Sequence, residues 1–315
     1  MATSVTLLDP SQIAPNPQNP RLIFREDELR ALEDSIRSQG ILVPLTVYED
    51  RKRVVILDGE RRWRCAMKLG LSKVPVILQP KPEPLANLMM MFAIHHRRQE
   101  WDPLPTALKM QELEDLYTQQ YGRSPNEKEL AELGSLTRGE VRRYRKLLAI
   151  PEKYRARLMR ELALPRSSQK LTVDHVLESF AAASILRRRN VLEDFSEEES
   201  LRDALLEKFE SGQIESTVAP RKLARMSLLV EEGKLERRSA RRVVERIVRD
   251  SKYGIEAALQ ETLADIELDS AVLQAATRLI ERICEAEERE TALSAETSEK
   301  LTAVVKTIRR LLRSA

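Results

Sequence analysis

Short β-branched or apolar runs at Ile41–Tyr48, Arg53–Leu57 and Val74–Leu78 alternate with helix-period segments over the first 80 residues, which predicts a mixed α/β unit. The first helix should span Asp27–Gln39, with Leu29, Leu32 and Ile36 on one face and Gly40 where a left-handed residue ends a helix. A second should run over Glu60–Leu69, with Trp63, Ala66 and Met67 inward and Gly70 as terminator. The segment Gln79–Pro84 holds three prolines in six residues and reads as an extended linker. Beyond it the pattern is helical: Leu85–Ile94, Pro103–Tyr121, a short pair within Pro125–Leu148, further short helices over Leu171–Met226, and a long charged stretch from Glu231 to Ala315. The expected organisation is an N-terminal domain at 1–80, a linker and connecting helix at 81–102, an all-helical domain at 103–226, and a helical region at 227–315. In that last region Val272, Leu273, Leu279, Ile280 and Ile283, then Leu301, Val304, Val305 and Ile308, form apolar stripes that need a partner, from the same chain or a second copy.

A chain of 315 residues suggests two or three folded units, and 42% hydrophobic with 33% charged residues excludes wholesale disorder. No apolar run reaches the ~20 residues of a membrane span. Two cysteines, Cys65 and Cys284, build neither a disulfide framework nor a four-cysteine zinc site, and the Met1 end lacks a signal-peptide pattern, so a reducing cytoplasm is expected. Net charge is only +3, but residues 120–170 hold 13 Lys+Arg against 6 Asp+Glu, a local +7. Such a concentration is the footprint of a phosphate-backbone contact, or else a solvated helical face.

At Asp58-Gly59-Glu60-Arg61-Arg62 a strand ends, a glycine follows and a helix opens with two arginines in its first turn. Free N–H groups, the helix dipole and two guanidinium forks together suit an anion. The pattern is neither GxxxxGK[ST] nor GxGxxG, which excludes a P-loop enzyme. The competing reading is a structural knot in which Glu60 pairs with an arginine.

Ser124-Pro-Asn-Glu127 reads as a capping box with Pro125 at the first helical position, and Gly134 closes that helix. Thr137-Arg-Gly-Glu140 repeats the box and opens a helix through Val141, Tyr144, Leu147 and Leu148 that Pro151 limits. With Leu130, Ala131, Leu133 and Leu136 inward, two short helices three residues apart have helix-turn-helix spacing. Candidate DNA contacts are Thr137, Arg138, Arg142, Arg143, Arg145 and Lys146, within the +7 window.

Three boxes, Ile13-Ala-Pro-Asn-Pro-Gln-Asn-Pro-Arg21, Ser35-Ile-Arg-Ser-Gln-Gly-Ile-Leu-Val-Pro44 and Val55-Ile-Leu-Asp-Gly-Glu-Arg-Arg-Trp-Arg-Cys-Ala66, resemble in order and spacing those of the ParB N-terminal domain. Leu147-Leu-Ala-Ile-Pro151 is similar to the end of that family's recognition helix, and Leu171-Thr-Val-Asp-His175 to its following segment. The resemblance covers about residues 10–225 and implies an α+β ParB/sulfiredoxin-like N-terminal domain followed by an all-α helix-turn-helix domain and a helical C-terminal region. It implies CTP as ligand, with Gly40, Gly59, Glu60, Arg61, Arg62 and Arg98 as nucleotide-binding residues. Where the family carries a Glu-Asn pair that helps hold Mg²⁺, this chain has Ile94-His95; isoleucine offers no oxygen ligand, which removes support for Mg²⁺ and for hydrolysis. His95 and His96 without acidic or cysteine companions make a poor metal site, so no metal ligand and no catalytic residue is assigned.

The leading expectation is a cytoplasmic, nucleoid-associated partition protein that closes as a homodimeric clamp on double-stranded DNA. A ParA-type ATPase would be its partner, although Met1–Pro10 has little of the basic character such contacts use. The alternatives are a nucleotide-independent ParB-like transcriptional regulator and, further off, a nuclease-like or sulfiredoxin-like enzyme, the last requiring a reactive Cys65.

Overall fold

A computed structural model describes residues 4–51, 53–96, 101–289 and 292–313. Five strands form one mixed sheet: β1 (Val5–Leu8), β2 (Ile13–Ala14), β3 (Leu45–Asp50), β4 (Arg53–Asp58) and β5 (Val74–Gln79), in the order β1-β5-β3-β4-β2. The consecutive β3–β4 pair is antiparallel, whereas β3 and β5 run parallel across the intervening helix. Strands β1 and β2 were not expected; at four and two residues on the sheet edges they are too short to carry a period-2 signal. The run Ile41–Tyr48 is strand only from Leu45, and Leu42 and Val43 lie exposed.

Helix α1 (Glu26–Gln39) packs on α2 (Glu60–Lys68), burying Leu29, Ile36 and Cys65, and α2 packs on the sheet through Ala66. Met67, expected inward, is exposed, because a nine-residue helix on a small sheet buries only a narrow stripe. Gly40 ends α1 with φ +72° and its N–H on the Ile36 carbonyl at 2.8 Å. Ten helices follow: α3 (Pro84–His96), α4 (Pro103–Tyr121), α5 (Glu127–Leu133), α6 (Arg138–Leu148), α7 (Glu152–Leu162), α8 (Val173–Arg188), α9 (Phe195–Glu210), α10 (Ala219–Glu231), α11 (Arg237–Arg249) and α12 (Ile255–Glu288). The last helix is α13 (Ala295–Arg313). One continuous apolar core runs from Leu85 in α3 to Ala258 in α12, so α11 and the start of α12 pack into the same body as the helix-turn-helix. Past Ala258 the character changes, and Leu268, Val272, Leu273 and Ile280 of α12 and Val304, Val305 and Ile308 of α13 are exposed.

The segment between β2 and α1 joins sheet and helices. Asn16 and Gln18 bond Asn87 of α3, the Pro17 carbonyl accepts from Lys109 Nζ of α4 at 2.9 Å, and Ile23 enters the helical core. Arg25 occupies the N-cap position of α1 without capping it. Its side chain, 1% exposed, instead donates to Asp102 Oδ1 (2.7 Å) and to the carbonyls of Leu162 (2.6 Å) and Leu164 (3.2 Å) at the end of α7. Those carbonyls have no partner within their helix, so the guanidinium acts as its C-terminal cap. Burial works against this charge, but the hydrogen bond and charge of Asp102, with Glu28, outweigh it and raise the pKa above the ordinary arginine value.

His175, on the inner side of α8, stacks flat on Phe209 at 4.0 Å, and its Nδ1 accepts the Thr172 N–H in a capping box. Acceptance at Nδ1 needs a neutral ring, and burial lowers its pKa from 6.5.

Two outcomes are expected. Arg25→Ala leaves the Asp102 carboxylate buried and unpaired and should cost about 3–5 kcal/mol in urea unfolding, whereas Arg25→Met with Asp102→Leu should recover much of that loss; equal losses in both would mean that the ion pair is not the source. For His175 the folded pKa lies below the unfolded one, so its contribution is complete above the unfolded pKa of 6.5 and is lost as pH falls through and below that value. The wild type should therefore lose more stability between pH 7 and 5 than His175→Gln, which retains a capping side chain; parallel curves would refute the assignment.

Candidate functional site

Two sites emerge, one on the sheet domain and one on the helical body. The first is the turn from β4 into α2. Gly59 sits there at φ +101°, and a Cβ would come within 2.9 Å of Arg62 Nη2 and 3.2 Å of Leu45 Cγ, so only glycine fits. Next to it lies a cavity of about 190 Å³ lined by Asn19, Arg21, Phe24 and Leu32 on one side and Asp58, Gly59, Glu60, Arg61 and Arg62 on the other. Ligand pockets commonly measure ~300–1,000 Å³, so this volume suits the phosphate end of a nucleotide rather than all of it.

Three guanidiniums converge on the cavity, and each is held. Arg61 donates to the Glu28 carbonyl at 3.0 Å. Arg62 bonds the Val43 carbonyl, the Pro44 carbonyl (2.8 Å) and Asp58 Oδ2 (3.1 Å), fixing the loop before β3. Arg21 lies 3.7 Å from Glu28. Glu60, 7% exposed, is tied up within the cavity wall: it accepts from Asn19 Nδ2 at 2.6 Å and from Arg64 at 2.7 and 3.0 Å. That is the structural pairing considered from the sequence, and it coexists with a cavity at the same turn. Gly40 is not part of the cavity wall, and Arg98 lies outside the described residues.

Asn19, Arg21 and Phe24 were not singled out from the sequence. The signal for Asn19 and Arg21 lay in the Ile13–Arg21 box and none marked Phe24, and the more than 30 residues between this segment and Gly59 hide the contact. Cys65 is fully buried, and burial pushes its thiol above the ordinary range, so it lacks the thiolate character that sulfiredoxin-type chemistry needs.

The second site is the pair α5 and α6. The first capping box falls at Asn126 and Glu129, two residues beyond its expected place, because Asn126 Oδ1 accepts both the Lys128 and Glu129 N–H groups and Pro125 precedes the helix. Arg123 and the Asn126 N–H together hold the Glu129 carboxyl down at about 2. Gly134 follows α5 at ordinary φ, and the left-handed residue is Ser135 (φ +51°); Gly134 is needed instead for space, since a Cβ would meet Leu136 Cδ1 at 3.0 Å. The Thr137–Glu140 box stands as read.

Val141, Tyr144 and Leu147 bury one face of α6, and the phenol of Tyr144 is pushed up to about 12 by burial. The opposite face exposes Arg138, Arg142, Arg145 and Lys146, with Arg143 at its edge. Carboxylates hold four of these in the free protein. Glu127 takes Arg138 (2.7 Å) and Arg142 (3.0 Å), Asp174 takes Arg143 (3.0 Å), and Glu114 takes Arg145 (3.1 Å). Such exposed pairs are worth little and exchange readily for phosphate. Between α6 and α8, Arg142, Arg143 and Lys146 also line a groove of about 610 Å³. Among the described residues no cluster of three or more His, Cys, Asp or Glu could hold a metal.

Gly59→Ala should lower unfolding stability by about 1–3 kcal/mol, from the left-handed φ and the displaced Arg62, and should loosen the Pro44 loop. Hydrogen exchange at residues 41–45 checks this, and an unaltered loop would deny Arg62 its tethering role.

Comparison with known proteins covers the sheet domain most specifically. The family model of the ParB N-terminal domain matches residues 1–93. The chain is 30% identical over 177 residues to a probable chromosome-partitioning protein ParB of Coxiella burnetii, covering 56% of this chain and 59% of that protein. It is 30% identical over 171 residues to the chromosome-partitioning protein ParB of Caulobacter vibrioides, covering 53% and 51%. Among solved structures, a C-terminally truncated ParB from Caulobacter crescentus complexed to the centromeric parS site gives a TM-score of 0.37 at 22% identity, over 76% of this chain and 99% of that one. The matched region thus spans little more than half of these curated relatives. Residues 1–93 match the ParB N-terminal domain, and over about half its length the chain is similar to chromosome-partitioning ParB proteins.

Proposed function

We propose that this chain is a partition-type DNA-binding protein that reads duplex DNA through α6 and binds a cytidine nucleotide at the Gly59 turn. The observation that carries the DNA half is the exposed cationic face of α6, set by two capping boxes and opposed by a fully buried apolar face. A helix so presented enters the major groove with its first turns against base edges and its later arginines on phosphates. Arg138 and Arg142 would leave Glu127 for DNA, and that carboxylate would keep the pair splayed and extended until then.

The nucleotide half rests on the cavity walled by Arg21, Arg61 and Arg62 and on the matched N-terminal domain. The α2 N-terminus supplies amide donors and dipole, and the arginines supply charge. The exposed stripes of α12 and α13 would be covered by a second copy, giving the dimer that a clamp needs. A nucleotide-independent regulator is the second reading. It is favoured by Arg62 and Glu60, which are already satisfied by protein partners, and by Ile94 at a position without an oxygen ligand.

Arg142→Ala should weaken duplex binding and reduce the slope of log K against log salt by about one unit if it meets a phosphate, and an unchanged slope would remove it from the backbone contacts. Calorimetry with CTP separates the two readings: the wild type should bind and Arg61→Ala should bind at least tenfold more weakly, whereas absence of binding to the wild type favours the regulator.

A further inference from the structure

Basic charge is concentrated beyond residues 120–170 as well: residues 234–249 hold seven Lys+Arg against two Asp+Glu, a net of +5. Most of that charge lies on α11. Its apolar face is committed: Ala240, Val243, Val244 and Ile247 are buried in the helical core. Its arginines divide by position. Arg241, on the flank, is held by Glu193, Glu197 and Glu245, and Arg246 by Glu261. Arg238, Arg242 and Arg249 are exposed and, among the described residues, make no ion pair; Arg242 reaches only Ser239 Oγ at 3.5 Å.

At ~100° per residue these three fall within about 40° of one another, on the side opposite the buried face, and at ~1.5 Å per residue they are spaced about 6 and 10 Å along the helix. The arrangement is unfavourable in the free protein. Arg238 and Arg242 are like charges at i, i+4, and Arg237 and Arg238 sit in the first turn against the positive end of the dipole, beside an N-cap Glu236 whose side chain makes no capping hydrogen bond. An anionic partner relieves all of these terms together. Glu245 lies on the same side of the helix, but it pairs with Arg241 at 3.3 Å, so unlike four of the α6 cations none of these three arginines has a carboxylate to surrender first.

We propose that the outer face of α11, through Arg238, Arg242 and Arg249, is a second contact for the phosphate backbone of duplex DNA, without base readout. A polyanion with closely spaced charges fits a linear stripe of guanidiniums; duplex DNA presents one charge per ~1.7 Å of axis. An amphipathic helix that inserts into membranes needs an exposed apolar face, and α11 has buried its own. The contact lies on a helix packed on α9, α10 and α12 rather than on the α5–α6 pair, so it adds to groove binding instead of repeating it.

The test uses the full chain and a duplex of arbitrary sequence, with log K measured against log salt. Arg238→Ala/Arg242→Ala/Arg249→Ala should flatten the slope by up to about three units, since each phosphate neutralised contributes ~0.9. The triple lysine variant should retain most of the slope, because phosphate needs only the charge. Without DNA the alanine variant should melt no lower than wild type, which separates lost binding from lost folding. The same loss should appear in an Arg142→Ala background, so failure of the α6 reading and failure of this one give different results. An unchanged slope in the alanine variant overturns the proposal. So does a lysine variant that loses as much as the alanine one, or a stripe-dependent attachment to phosphatidylserine vesicles with no effect on DNA.

Discussion

The connection between sheet and helices turns on one buried cation. Arg25 lies at the start of α1 yet spends its donors on Asp102, at the start of α4, and on the carbonyls that end α7. A single guanidinium thereby fixes three helix termini drawn from positions far apart in the chain. Such a pair is strongly destabilising to break, because either partner left alone is a desolvated charge. Two N-cap positions, Arg25 and Asp102, forgo their ordinary local role to make it.

This junction matters for function because of what flanks it. Arg21 and Phe24, immediately before Arg25, form one wall of the cavity at the Gly59 turn, and Glu28, three residues on, binds Arg61 through its carbonyl. The same short segment thus borders the anion-suited cavity and is bolted to the helical body that carries α6. A ligand that drew Arg21 or Arg61 inward would act on residues adjoining the bolt.

The cationic surfaces differ in how they are prepared. On α6 the arginines are pre-paired with Glu127, Asp174 and Glu114, which offsets their mutual repulsion and keeps the side chains ordered. On α11 the flanking arginines are paired and the outer ones are not. Net charge in a sequence window cannot distinguish these cases, because it counts a carboxylate only when it is near in sequence. Asp174 and Glu114 are 31 and 31 positions from the arginines they hold.

What the sequence determined by itself was local: the helix at α2 and its Gly59 start, the Thr137–Glu140 box, the buried stripe of α6, and the order of the N-terminal boxes. These follow from steric limits at positive φ, from capping chemistry and from helical periodicity, all of which act over a few residues. Only the tertiary structure decided that Glu60 faces Asn19 and Arg64, that Arg21 joins the cavity, that Met67 is exposed and that Arg25 reaches Asp102. The edge strands β1 and β2 belong to the same class, since their pairing with β5 and β4 and not their own pattern makes them strands. Each of these depends on which distant groups are brought within hydrogen-bond or packing distance, and a desolvated charge accepts whichever partner the fold delivers.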